Sequence, residues 1–494
     1  MASGTLKLWS VKQALATRPD QLVDYVLGGR VNNFRSYRKC NFIDLVDGSS
    51  INKIQVVISK DLLKKPELGS YLVFEGKLLK SRGPQQDVEF NASSLKYHGS
   101  CDPSSYPLAT TDDLSDDWFR RSIHLRPRAQ HFASLLRIRS ELEFGLQDVM
   151  RQMNFFRVHT PSLSANDSEA SSDLFLVDRT ALSNRSTNPE LDNVKHDEES
   201  VDRDYLPEEH SKHDKNQTRR VVKCNYFNKD VFLISSAQLH LENLAGSLSK
   251  VYTISTAFRA ENSLTRRHLC EFLMFEAEES NLTDLETLMD RVELVIKYAA
   301  KYLSELSEHK SDVSHLIQRN SNIDNFKRIA SSPYIRMTYG EALEILKDKT
   351  DFAGDTQYGS DIGTVQERKL LDYCANVPIF ITNYPKQCKP FYMKCDIDNR
   401  EAECFDLIAP HGGEICGGSL REDDQEKLLE NLKSSGLADH QLRDLSWYID
   451  IRRYGSFPHG GFGIGFERLL QSLLGIKNIK DTTAFPRWAG RCPM

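Results

Sequence analysis

The stretch Gly461-Phe462-Gly463-Ile464-Gly465-Phe466-Glu467-Arg468-Leu469 constrains this chain more than any other. Glycine at every second place predicts an extended strand with one bare face, because successive side chains of a strand point to opposite sides. A flat ligand can approach such a backbone closely. The Glu467-Arg468 pair then opens an apolar helix, with Arg468 set to meet a phosphate. The spacing is not the GxGxxG dinucleotide fingerprint, and no GxxxxGK[ST] phosphate loop occurs anywhere in the chain. Taken alone, the alternation fits the corner of a β-barrel as well.

Two further strings add chemistry. Phe258-Arg259-Ala260-Glu261 is followed by His268 and Phe272. On a strand, Arg259 and Glu261 would share one face, and a turn would bring His268 and Phe272 back toward them. Arginine offers a fork for phosphate, phenylalanine a flat face for a base, and glutamate an acceptor for an exocyclic amine. By itself this string reads as an ordinary surface ion pair. The other string holds Asp406 and Glu414, then Gly417-Gly418-Ser419 and Arg421-Glu422. Two acids near a glycine-rich turn can hold Mg²⁺ against a phosphate. By itself it reads as a solvated acidic turn. The weight lies in finding all three in one order, downstream of a strand-to-turn signal at Phe156–Pro161.

The chain's 494 residues make two to four domains at roughly 100–200 residues each. No run of about 18 apolar residues occurs, which excludes a membrane-spanning helix. The net charge of −6 hides an asymmetry: residues 21–98 hold twelve Lys/Arg against eight Asp/Glu. The ten cysteines include no CxxC pair, which excludes zinc-ribbon and thioredoxin-like sites and predicts reduced thiols in an intracellular compartment. Residues 22–98 read as short strands, among them Asn41–Val46, Ile54–Ile58, Tyr71–Gly76 and Asp87–Phe90, and predict a small β-barrel. Residues 99–130 read as a linker with Pro103, Pro107 and Pro127. Apolar residues at helical spacing predict helices over Gln130–Asn154 and Asp284–Leu306. Thr180–Arg220 carries seventeen charged residues in forty-one and reads as a solvated loop. The whole predicts an α+β protein, a barrel joined to a larger mixed domain.

Together the three strings resemble the signature motifs of class II aminoacyl-tRNA synthetases. From about residue 22 to about 488 the chain resembles the asparaginyl-tRNA synthetases in particular. Phe156–Pro161 matches the dimer-forming first motif, Arg259–Phe272 the second and Gly461–Arg468 the third. Tyr384-Pro385, Phe391-Tyr392-Met393, Asp450–Gly455 and Pro458-His459-Gly460 are similar to further strings of the family. The resemblance implies an OB-fold anticodon-binding domain at 22–98, a hinge at 99–130 and a class II catalytic domain at 131–494, built on an antiparallel sheet. The 180–220 insertion interrupts the catalytic domain.

What the resemblance implies for the site can be stated residue by residue. Arg259 and Arg468 are the catalytic cations. Arg259, Glu261, His268, Phe272, Glu414 and Arg468 take ATP, and Asp406 with Glu414 takes Mg²⁺; no zinc is expected. Glu169, Gln238, Glu242 and Arg421 take the amino acid, with Ser235–Glu242 as a substrate strand. Arg35, Phe42 and Gln55 read the anticodon, although Phe42 taken alone reads as a barrel-core aromatic. The usual glycine-rich run after the first motif is here Glu169-Ala170-Ser171-Ser172-Asp173. Aspartyl enzymes of this fold carry Gln-Leu-x-Lys-Gln, where this chain has Gln238-Leu239-His240-Leu241-Glu242. An ionised Glu242 would accept from an asparagine amide and repel an aspartate carboxylate, with Arg421 donating to the amide oxygen. The alternative is that Glu242 pairs with Arg421 and touches no ligand.

The implied activity is ATP-dependent activation of L-asparagine and its transfer to tRNA(Asn), by a homodimer with no membrane association. An aspartyl-tRNA synthetase of the same fold and a catalytically silent tRNA-binding paralogue are the competing readings. Residues 1–19 hold Lys7, Lys12 and Arg18 and no acid, with Ser3, Thr5, Ser10 and Thr17 among them. They match a transit peptide, so residues 1–21 are expected to address the protein to the mitochondrial matrix, with the cytoplasm as the alternative.

Overall fold

The computed structural model describes residues 7–19, 23–81, 83, 86–109, 114–166, 173–178, 226–227, 229–349, 356–435, 437 and 439–494. Glu169 and the 180–220 insertion lie outside the described residues.

Alternating apolar residues near the N-terminus build a barrel from β1 (Lys7–Trp9), β2 (Tyr25–Ser36), β3 (Cys40–Val46), β4 (Ile54–Ser59), β5 (Tyr71–Lys80) and β6 (Val88–Gly99). β2 pairs with both β3 and β5, which closes the ring β2-β3-β4-β6-β5. Leu27, Ile43, Leu45, Ile54, Val56, Phe74 and Phe90 point inward and form its core. The turn after β3 bends at Gly48, whose φ of +85° favours glycine.

The barrel begins well before residue 22, which corrects the expected boundary. β1 pairs in parallel with β2, Lys7 beside Tyr25. The helix Val11–Ala16 that follows is capped by Ser10 and seats Val11 and Ala14 in the barrel core. A short basic amphipathic helix has the same composition whether it docks or is imported, so the sequence alone did not separate the two.

The larger domain rests on an eight-stranded sheet. Its strands are β7 (Phe156–Arg157), β11 (Lys250–Phe258), β12 (Glu271–Ser280), β13 (Ile335–Thr338), β14 (Ile379–Pro385), β15 (Glu401–Ala409), β16 (Gly413–Leu420) and β17 (His459–Gly465). The order is β13-β14-β15-β16-β17-β12-β11-β7, antiparallel except for the pairs at the two edges. A small sheet of β8 (Leu163–Ser164), β9 (Leu176–Asp178) and β10 (Val231–Leu233) stands beside it. The helices Gln130–Gln152, Leu285–Lys301 and Phe466–Leu474 share the main core, through Leu142, Leu146, Val292, Ile296, Leu469 and Leu473. Asp284 caps its helix by accepting from Thr287, and the last turns, Tyr302–Leu306, widen into a π-helix.

The expected linker is docked rather than free. It contains the helix Asp116–Arg121 and a 3-10 turn at Arg126–Arg128. Arg126, 1% exposed, donates to the carbonyls of Lys480 at 2.9 Å and Thr483 at 2.5 Å. Arg120 pairs with Asp481.

Candidate active site

Two central strands set the site. β12 runs antiparallel to β17 with Glu276 opposite Gly463 and Glu278 opposite Gly461. The glycines make room for neighbouring side chains: a Cβ at Gly461 would fall on the Glu278 carboxylate, and one at Gly463 on the methyl of Met274. A cavity of about 330 Å³ opens here, and Gln238, Arg259, Phe272, Glu276, Arg421 and Arg468 are among its lining residues.

The nucleotide end is assembled by the β11–β12 connection. Arg259 and Glu261 lie just past the end of β11 rather than on it, yet both line the cavity with His268 and Phe272. The Arg259 guanidinium sits 5.7 Å from the Phe272 ring centre. His268 Nε2 is 3.4 Å from Glu261 and Nδ1 is 2.9 Å from Ser263 Oγ. Burial, then the Arg468 charge, keeps the His268 pKa below the usual imidazole range. Arg468, in the first turn of its helix, donates to the Glu414 carbonyl at 2.7 Å.

Asp406 and Glu414 stand on the β15–β16 hairpin. Gly417 and Gly418 are part of β16 itself, where a glycine-rich turn was expected. A Cβ at Gly417 would lie 3.7 Å from both Asp406 Oδ1 and Glu414 Oε1, so the two carboxylates border one cradle that glycine leaves open. Paired oxygen donors beside such a cradle fit a hard divalent cation. Lys389 Nζ lies 2.7 Å from the other oxygen of Asp406, and no sequence signal announces that pairing across the fold.

At the amino-acid end, Gln238 starts the helix Gln238–Leu248, where a substrate strand was expected; the strand before it, β10, stops at Leu233. Gln238 lines the cavity, and its buried Oε1 has no hydrogen-bond partner among the described residues. Glu276 is buried and accepts from Ser236 Oγ at 2.5 Å and from the Ala237 N–H at 3.0 Å. Arg421 grips Glu278 with two donors, at 3.0 and 2.9 Å, and gives a third to Ser419 Oγ at 2.6 Å. Burial opposes the Arg421 charge, but Glu278 and then Glu242 hold it protonated.

Glu242 is not among the residues that line the cavity, so the geometry lends no direct support to its expected contact with the substrate amide. It is fully buried and receives Arg452 Nη2 at 2.7 Å and the Tyr448 hydroxyl at 2.8 Å, with His459 Nε2 2.9 Å away. Arg421 Nε stays 3.9 Å off, so the simple pairing with Arg421 is not its main contact either. Four residues after Gln238 on one helix, it sits a turn behind that side chain and accepts from its amide. Burial raises its pKa, but Arg452 and His459 outweigh burial and hold the carboxyl well below the usual range. Glu242, Glu278 and His459 also form the one three-residue cluster of metal-binding type among the described residues, and the guanidinium groups of Arg421 and Arg452 occupy its acids.

At the amino-acid end, Glu276 is an acid that lines the cavity, and a signal for it existed. Phe272, Met274 and Glu276 follow one another at period two and therefore share one face of β12. On the barrel, Arg35 pairs across from Phe42, and Gln55 across from Asp44. All four line a groove of about 1860 Å³. Arg35 Nη2 donates to Gln55 Oε1 at 2.7 Å. Phe42 is half-buried, outside the barrel core, with the Tyr37 ring edge-on at 5.5 Å.

This sheet and its cavity define a class II aminoacyl-tRNA synthetase: the family model "tRNA synthetases class II (D, K and N)" matches residues 208–489. A human asparaginyl-tRNA synthetase is 34% identical over 98% of this chain and 94% of its own length. An asparagine–tRNA ligase of Clostridium tetani is 34% identical over 98% and 99%. The crystal structure of the Pyrococcus horikoshii asparaginyl-tRNA synthetase complexed with asparaginyl-adenylate superposes with a TM-score of 0.77 at 27% identity, covering 95% of this chain and 96% of that one. The chain belongs to the asparaginyl-tRNA synthetases.

Proposed function

We propose that this chain activates L-asparagine with ATP to asparaginyl-adenylate and transfers it to the terminal ribose of tRNA(Asn). One observation carries the reading. A single cavity joins a phosphate-and-base end, Arg259, Phe272 and Arg468, to a polar end in which Arg421 is already paired with Glu278 and Glu276 adds a negative charge. An aspartate carboxylate would be set against the Glu276 carboxylate, with Arg421 already committed to Glu278. An asparagine amide would instead donate to Glu276 and accept from the remaining N–H groups of Arg421. The unpartnered Gln238 Oε1 suits the substrate ammonium.

The chemistry needs no general base, because the attacking carboxylate is ionised at neutral pH. It needs alignment on the α-phosphorus and cancellation of phosphate charge. Arg259 and Arg468 serve both ends, and Phe272 offers its ring to adenine. Asp406 and Glu414 would hold Mg²⁺, which supplies further charge neutralisation when bound. ATP–pyrophosphate exchange tests the reading without tRNA: asparagine supports exchange and aspartate at equal concentration does not. Equal rates with both would turn the reading to an aspartyl enzyme, and no exchange with any amino acid to a silent paralogue.

Transfer to tRNA rests on the groove that holds Arg35, Phe42 and Gln55, where base stacking on an aromatic is worth roughly 1–3 kcal/mol. A two-fold homodimer is part of the proposal. β7 is a sheet edge with Phe156 59% exposed, and Phe144 is 56% exposed on the long helix before it. An edge strand flanked by bare aromatics is a self-complementary surface. Sedimentation as a monomer at micromolar concentration would contradict it.

We also propose service in mitochondrial translation, supported by the basic, acid-free stretch ahead of Asp20. Because Lys7–Ala16 belong to the barrel, protein recovered from the organelle should keep them. N-terminal sequencing should find the mature start at or before Lys7. A start beyond residue 21, or a fluorescent fusion that stays out of mitochondria, would overturn this.

A further inference from the structure

The helix Gln130–Gln152 touches the barrel and the nucleotide site at once. Near its start, Gln130 Nε2 donates to the Ile51 carbonyl at 2.6 Å and Arg137 Nη1 to the Gly48 carbonyl at 2.5 Å. Both carbonyls belong to the turn between β3, which carries Phe42, and β4, which carries Gln55. The rest of the Arg137 fork is locked on buried Asp312, by Nε at 3.0 Å and Nη2 at 2.7 Å. Ser134 Oγ also donates to Asp312, at 2.6 Å, and His309 Nδ1 lies 3.0 Å from it. A fork held by two carboxylate oxygens has little freedom to swing. From its other side the same turn is tied by Asp47, which accepts from Val11 N at 2.8 Å and Ser49 N at 2.9 Å.

Two residues further along the helix, Arg139 pairs with Glu467 at 2.8 Å, and its guanidinium lies 4.8 Å over the Phe466 ring. Glu467 accepts from Leu273 N at 3.0 Å, between the neighbours of Arg468 and Phe272. One rigid element of 23 residues thus holds the barrel turn and the nucleotide motif together.

We propose that Arg137 is a positioning residue: it fixes the barrel wall against the catalytic domain, so that an RNA strand lying on Arg35, Phe42 and Gln55 has its acceptor end delivered to the cavity. The groove bordered by those three residues is bordered also by Gln130 and Arg137. The proposal rests on the reading of that wall as the anticodon site.

The test uses the full chain and a tRNA transcript bearing the asparagine anticodon. Arg137→Ala should leave tRNA-independent ATP–pyrophosphate exchange within about twofold and raise the KM for tRNA roughly tenfold or more, the scale of one hydrogen bond to a charged group. Gln130→Ala, which strands no buried charge, should shift the same KM in the same direction by less. Phe42→Ala should raise it as well, and the Phe42→Ala/Arg137→Ala double variant should be no worse than the sum of coupled sites allows, clearly less than additive. Exchange falling as much as charging would mean that Arg137 only holds the catalytic fold, and would overturn the proposal. Additive effects, or an unchanged KM in both Arg137→Ala and Gln130→Ala while Phe42→Ala raises it, would overturn it too. If Phe42→Ala itself changes nothing, the anticodon reading fails and the proposal falls with it.

Discussion

Arg259→Ala and Arg468→Ala should each slow adenylate formation by roughly 10²–10³, the usual cost of removing one fixed donor from developing charge. Neither side chain carries the core. Arg259 lies on the connection after β11 and Arg468 is partly exposed to the cavity, so both variants should melt close to the parent. Loss of rate without loss of stability is the signature of groups that act on the phosphates. ATP–pyrophosphate exchange with saturating asparagine reads the rate, and a thermal melt reads the fold. Near-normal exchange in Arg259→Ala would refute its assignment.

Glu242→Ala should do the opposite, damaging stability first. Its carboxylate is fully buried against Arg452, His459 and Tyr448. Removing one member of a buried ion pair leaves the others uncompensated and costs roughly 3–5 kcal/mol. Gln238 would lose the acceptor that orients its amide, so asparagine binding should weaken as a secondary effect. Denaturant unfolding measures the first effect. A variant as stable as the parent, but with its asparagine preference erased, would return Glu242 to the role of a direct ligand contact.

Period and order made much of this fold legible in the sequence. The glycine alternation became β17 with its helix at Phe466, the predicted barrel strands fell on β3 to β6, and Asp284 caps the helix it was expected to begin. What escaped depends on contacts that no local pattern encodes. Glu242 and Arg421 were read as the two groups that meet the substrate amide, with their mutual pairing as the alternative, yet Arg421 is held by Glu278 and Glu242 by Arg452. Choosing among several buried acids and arginines requires distances. Lys389 beside Asp406 was hidden for the same reason. Gln238 to Glu242 was taken as extended because its role was inferred from a motif, whereas its leucines at 239 and 241 pack within a helix. Residues 7–16 were set apart from the barrel, within an expected transit peptide, because docking to β2 leaves no trace in composition.

The central claim is that Glu276, facing the cavity beside a neutralised Arg421, selects the amide over the carboxylate. The ratio of ATP–pyrophosphate exchange rates with asparagine and aspartate at equal concentration, measured for the parent and for Glu276→Gln, tests it directly. The parent should prefer asparagine by roughly a hundredfold or more, the scale reached when a polar site leaves a mismatched partner unpaired. The variant, which no longer sets a charge against aspartate, should narrow that ratio sharply. A parent that activates both amino acids equally, or a variant whose ratio matches the parent's, would contradict the account.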